Sequence, residues 1–115
     1  MYKHIMYIEN GRCFAGEFIM GRTEKEQGKI RYYIELLEKR GPSLREPYSK
    51  KISSSLYELR PSFGNTEMRI LYFWDGNLAW IVSGFVKKDQ KTPARELKLA
   101  TKRMQRYINA KGAKK

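Results

Sequence analysis

Arginine and lysine recur in this chain where strand-like runs end and a helix begins. Arg60 closes one run, Arg69 lies within the next, and Lys87 and Lys88 end a third. Lys91 and Arg95 follow just beyond, and Lys50 and Lys51 precede the group in a polar loop. A guanidinium forks onto two phosphate oxygens and stays charged, so this pattern suits a phosphate-rich polyanion. Tyr48, Tyr57, Tyr72 and Phe85 are interleaved with the cations. Rings so placed stack on unpaired bases, a common mode of single-stranded RNA recognition. The same residues also admit a plainer reading. Glu58–Arg69 and Glu67–Arg60 would be cross-strand ion pairs, each contributing ~0.2–1 kcal/mol.

Other chemistries are narrowed by what the chain lacks. It has one cysteine, Cys13, and one histidine, His4. An internal disulfide is excluded, and neither a zinc site nor a Cys/His nucleophile is expected. Cys13 reads as a small apolar residue and His4 as a surface or packing residue. No paired-carboxylate unit, HExxH motif, P-loop or dinucleotide fingerprint occurs, so no cofactor and no metal are expected.

Several elements must position these cations. Residues 4–9 alternate weakly and read as an edge strand, and Phe14 to Met20 reads equally as a strand or a short helix. Thr23 and Glu26 form a capping box. Ile30, Tyr33, Ile34 and Leu37 follow at the spacing of one helical face, and Gly41-Pro42 stops that helix, giving a span of roughly 23–40. Residues 42–51 read as a loop. Three strands follow at 56–60, 67–74 and 78–86, the last two joined at Asp75-Gly76, a dipeptide suited to a tight hairpin. If the connection at 60–67 is a simple turn, Glu58 lies across from Arg69 and Arg60 across from Glu67. Glu58, Arg60, Glu67 and Arg69 then share one patch beside Gly84, with Lys88 at the same parity. Thr92 caps a last helix with Pro93 in its first turn. Leu97, Ala100, Met104 and Ile108 would bury one stripe of that helix. Arg95, Lys98, Lys102, Arg103 and Arg106 would line the rest. The order predicts an α+β fold, a small antiparallel sheet with helices on one side and a C-terminal helix.

At 115 residues the chain is read as one domain, 1–115, with a basic and flexible tail over 109–115. Lys and Arg number 24 against 12 acidic residues, a formal net charge of +12. That excess favours an anionic partner, nucleic acid above all. Lys111, Lys114 and Lys115 are read as aids to solubility. No run is long enough to span a bilayer, no signal peptide is evident, and a cytoplasmic protein without membrane contact is expected.

The blocks Leu56-Tyr-Glu-Leu-Arg60, Gly64-Asn-Thr-Glu-Met-Arg-Ile-Leu-Tyr-Phe73 and Gly84-Phe-Val-Lys-Lys-Asp-Gln-Lys-Thr-Pro93 resemble the RelE/ParE toxin superfamily. More narrowly, they resemble its phage-derived, HigB-like branch. The helix ending in Leu-Leu-Glu-Lys-Arg-Gly-Pro42 fits the same pattern, and the similarity runs in unbroken order over about residues 20–108. The resemblance implies a growth-inhibiting toxin of a type II toxin–antitoxin pair, a ribosome-dependent endoribonuclease (mRNA interferase). Its implied partners are a HigA-like helix-turn-helix antitoxin in a hetero-oligomer, and mRNA on the ribosome. It places functional arginines at Arg60 and Arg69 and functional basic residues at Lys87 and Lys88.

The implied reaction is attack of a ribose 2′-hydroxyl on the adjacent phosphate, which requires charge stabilisation and two proton transfers. Arg60 and Arg69 suit the first task. Glu58, Lys87, Lys88 and Tyr72 are the candidates for the second, and the base stays unassigned. RNA or ribosome binding is expected of Lys50, Lys51, Lys91, Arg95, Lys98, Lys102 and Tyr72, with Arg106 completing the basic face of the last helix. Two further readings stand beside this one: a ParE-type toxin directed at gyrase, and a non-catalytic RNA-binding or degenerate toxin.

Overall fold

The computed structural model describes residues 1–88 and 91–113. Asp89 and Gln90 of the Gly84–Pro93 motif, and the basic pair Lys114 and Lys115, lie outside the described residues. The elements run β1 (Lys3–Met6), α1 (Phe14–Met20), α2 (Glu24–Arg40), β2 (Ser49–Lys51), β3 (Tyr57–Leu59), β4 (Ser62–Phe63), β5 (Thr66–Asp75), β6 (Leu78–Val86) and α3 (Ala94–Ala113). Phe14–Met20, open between strand and helix in the sequence, is helical. The capping box of α2 forms as its residues predict. Thr23 Oγ1 accepts from Glu26 N at 3.2 Å, and Thr23 N donates to Glu26 Oε1 at 3.1 Å.

The α+β class and the C-terminal helix are as expected. The sheet order is β1-β6-β5-β3-β2, with β4 paired to β5. It is mixed, because β1 runs parallel to β6. β1 and β6 are far apart in sequence, so no hairpin forces them antiparallel.

Helices cover both faces of the sheet, which corrects the expectation of one. α1 and α2 pack on Leu59, Met68, Ile70, Tyr72, Ala79 and Ile81. α3 packs on Leu56, Leu71, Phe73, Val82 and Phe85 across the sheet. The reason is legible in β5: apart from Arg69, Met68 to Phe73 is apolar without alternation, as in strands buried on both sides.

Both hairpin turns differ from the expected ones. Phe63 pairs with Thr66, so the first turn is Gly64-Asn65. Asp75 pairs with Leu78, so the second is Gly76-Asn77 and Asp75 stays in the strand. Each turn places glycine first, at φ +60°, the pattern of a type II′ hairpin. The two-residue turn at 64–65 moves β3 by two positions. Glu58 therefore pairs with Leu71 and Leu59 with Ile70, instead of Glu58 with Arg69.

A bulge in β6, where the register shifts between Leu71 and Tyr72, then changes the parity of the strand end. Val82 and Phe85, three apart, both meet α3. Gly84 turns instead to α1, where a Cβ would lie 2.5 Å from Phe18 Cδ2. It is not beside the charged patch. Gly84→Ala is expected to push α1 off the sheet and lower stability by about 1–3 kcal/mol, read as a lower denaturation midpoint. An unchanged midpoint would mean that Phe18 swings aside freely.

α3 is longer than its stripe predicts and reaches Ala113, through most of the expected tail. Ala100 and Met104 are buried, but Ile108 is half exposed. Tyr107 takes its place, its ring 4.3 Å from that of Trp80 and 5.5 Å from that of Phe73. Tyr107 and Lys111 both donate to the Asp75 carboxylate, fastening the helix end to the Gly76 hairpin. Lys111 thus has a structural partner beyond any solubilising role. Lys111, then Tyr107, holds the Asp75 carboxyl below its ordinary range. No helix among the described residues is long and apolar enough to cross a membrane.

Candidate functional site

Where β2, β3 and the β6 end meet the start of α3, the surface dips into a basin of about 320 Å³. Lys50, Lys51, Glu58, Arg60, Lys87, Lys91 and Thr92 line it, with Ile52 and Leu97 as its apolar part. Lys50 sits directly across from Glu58 on the outer strand β2. Five cations thus surround one carboxylate. That excess survives any internal ion pairing.

Glu58 is 2% exposed. Its Oε1 accepts from Thr92 Oγ1 at 2.9 Å. Its Oε2 lies 3.5 Å from Arg60 Nε and 3.7 Å from Arg69 Nε. A buried carboxylate needs such partners to remain charged.

The two arginines have different situations. Arg60 is partly open to solvent and reaches outward to the exposed Glu46, Nη1 to Oε1 3.1 Å. Arg69 is 2% exposed. Its Nη1 donates to Met68 O at 2.8 Å and its Nη2 to Glu67 Oε1 at 3.0 Å. Arg69 therefore stands behind Glu58 instead of lining the basin, a correction to its expected role as a phosphate clamp. Alternation along β5 puts Arg69 on the same face as Leu71 and Phe73, the face that packs against α3.

Lys87 continues the β5 pairing through its N–H to Glu67 O at 2.8 Å, and its side chain enters the basin. Burial, then the Arg69 charge, pushes its ammonium below the ordinary lysine pKa of 10.5. Arg60 acts in the same sense, while Glu58 and Glu67 oppose it. Lys88, one position on, is exposed and outside the lining, so the expected Lys87–Lys88 pair is split by strand parity.

Tyr72 is likewise removed from the site. It is buried on the α1–α2 face, bonded to Ser49 Oγ at 2.5 Å and stacked on Tyr57. At 1% exposure its ring cannot serve as a base-stacking platform, and the same burial raises its phenol pKa to about 12. Phe85 and Tyr48 pack into the two cores, away from the expected stacking role.

Lys50, Lys51 and Lys91 are at the basin as expected. Arg95, Lys98 and Lys102 are exposed on α3 and outside the lining. Arg95 lies 3.8 Å from Glu96. Arg106 is paired with Glu9. Arg103, expected on the basic surface, is buried. It donates to Val82 O at 2.7 Å and Ser83 Oγ at 2.6 Å, under the Phe14 ring. His4 is on β1, at the sheet edge opposite β2, with Nδ1 2.8 Å from Glu38 Oε2. It takes no part in the basin.

Thr92 is the residue that sequence reasoning placed in the wrong role. Its hydroxyl, expected to cap α3, is directed to Glu58. No local signal announces this, because only the tertiary meeting of β3 with the β6–α3 connection brings the two together.

A small mixed sheet, helices on both faces and a cationic basin around one buried carboxylate define an α+β protein with one strongly basic surface depression. The family profile described as "Phage derived protein Gp49-like (DUF891)" matches residues 17–105, which include every residue of the basin. The chain belongs to that family, a RelE/HigB-like toxin family, and so stands among toxin–antitoxin proteins. Comparison with curated proteins gives no match.

Proposed function

We propose that this toxin is a ribosome-dependent endoribonuclease that cuts translated mRNA at the basin. The observation that carries the reading is the convergence of a buried carboxylate, an accessible guanidinium and a lysine of lowered pKa in one open, strongly cationic depression. Glu58 takes the proton of the ribose 2′-hydroxyl as the 2′-oxygen attacks the adjacent phosphorus. Arg60 forks onto the phosphate oxygens as their charge grows. Lys87 gives its proton to the departing 5′-oxygen. One P–O bond forms and one breaks, leaving a cyclic phosphate and a free 5′-hydroxyl. Lys50, Lys51 and Lys91 hold the flanking phosphates. Lys98 and Lys102 on the outer face of α3 grip ribosomal RNA. A HigA-like antitoxin with a helix-turn-helix domain would neutralise the net charge of +12 during storage.

The role given to Lys87 predicts a pH profile. A lysine acting as an acid must carry its proton, and a lowered pKa means that proton is lost earlier as pH rises. kcat/KM should therefore fall on the alkaline side through a limb below pH 10.5, the ordinary lysine value. Lys87→Arg, which stays charged, should lose most activity and lose that limb with it. A wild-type limb that persists unchanged in Lys87→Arg would assign it to another group. The reading as a whole is tested with purified toxin on a translated message and on the same RNA naked. Cutting that requires the ribosome supports it; equal cutting of naked RNA makes the protein a free ribonuclease.

A further inference from the structure

We infer that Thr92 is a positioning residue, holding the Glu58 carboxylate open as a proton acceptor by preventing it from closing onto the two guanidiniums. The inference rests on the reaction proposed above and goes beyond it, to a residue on the connection leading into α3. Three distances carry it. The hydroxyl reaches Oε1 at 2.9 Å, a full hydrogen bond, whereas Arg60 Nε and Arg69 Nε stand 3.5 and 3.7 Å from Oε2. Charge-assisted N–H···O bonds ordinarily close to about 2.7–2.9 Å, so both guanidiniums attract the carboxylate without fixing it. The terminal torsion of glutamate is broad and offers no resistance of its own to rotation.

Only the threonine hydroxyl, among the described contacts of Glu58, sets the plane of the carboxylate at hydrogen-bonding distance. Without it, the carboxylate rotates and closes a tight pair with Arg60. The proton acceptor is then blocked, and the guanidinium needed by the phosphate is occupied. Both losses fall on the chemical step. Grip on RNA belongs to Lys50, Lys51 and Lys91, which the rotation does not touch.

The test compares Thr92→Val, the same shape without the hydroxyl, with Thr92→Ser, which keeps it. Cleavage of a translated message and thermal midpoints are measured, with wild type and Arg60→Ala alongside. Thr92→Val should lower kcat by about 10–100-fold with KM near the wild-type value, as for residues that orient a reacting group. Thr92→Ser should recover most of that loss. A wild-type kcat in Thr92→Val overturns the inference. So does a loss confined to KM, or one accompanied by an equally lowered midpoint in both variants, since that is a structural role for the connection. In either case an active wild type with an inactive Arg60→Ala leaves the proposed function standing. A wild type that cuts no RNA removes both.

Discussion

Arg69→Ala should lower folding stability by about 3–5 kcal/mol, the range for removing one partner of a buried ion pair. Arg69 is 2% exposed, and its guanidinium serves Met68 O, Glu67 and Glu58 at once. Its loss leaves the Glu58 carboxylate buried with Arg60 and Thr92 as remaining partners, which sets the effect toward the lower end of that range. The toxin should then be inactive chiefly because less of it is folded. Arg69→Lys should restore little, since an ammonium cannot reproduce the three-way fork. Urea denaturation reads the outcome. A midpoint equal to wild type, together with lost toxicity, would return Arg69 to a direct role on the phosphate.

Arg60→Ala should behave in the opposite way. Its side chain is 24% exposed and its outward partner Glu46 is 64% exposed, so the pair adds little stability. Glu58, 3.5 Å from Arg60, keeps Arg69 and Thr92 as partners, so stability should fall by clearly less than in Arg69→Ala, while cleavage falls by about 10²–10³-fold, the usual loss of one donor aimed at developing charge. Two arginines on neighbouring strands of one cluster would thus separate, one governing the fold and one the chemistry. Full activity in Arg60→Ala would leave Lys87 and the rim lysines as the whole phosphate site.

The elements of this protein follow from local sequence wherever a local interaction makes them. Thr23 and Glu26 bracket α2 because both halves of the capping box lie within one turn, and Gly41 ends it at φ +58°. The cationic character of the basin was legible for the same reason, because charge needs no register. What escaped is what register decides. Taking Gly64-Asn65 as the turn, in place of a longer loop from Pro61, moves Glu58 from Arg69 to Leu71. The bulge in β6 turns Lys87 into the basin and Lys88 away from it. The bulge leaves no mark on composition or spacing, whereas Gly64-Asn65 is itself a hairpin dipeptide that the Pro61-Ser62 start of a longer loop obscured. The burial of Arg103 and Tyr72 and the Thr92–Glu58 bond depend on long-range packing, so their residue types alone read as surface cation, stacking ring and helix cap.

The central claim is that the Glu58–Arg60–Lys87 basin cuts translated mRNA. It is tested most directly by mapping RNA 5′ ends in cells after a short pulse of wild-type or Arg60→Ala protein at equal abundance. The account predicts new 5′-hydroxyl ends clustered within translated frames for wild type and their disappearance in the variant. Growth arrest without new RNA ends, or arrest accompanied by DNA breaks, would contradict it.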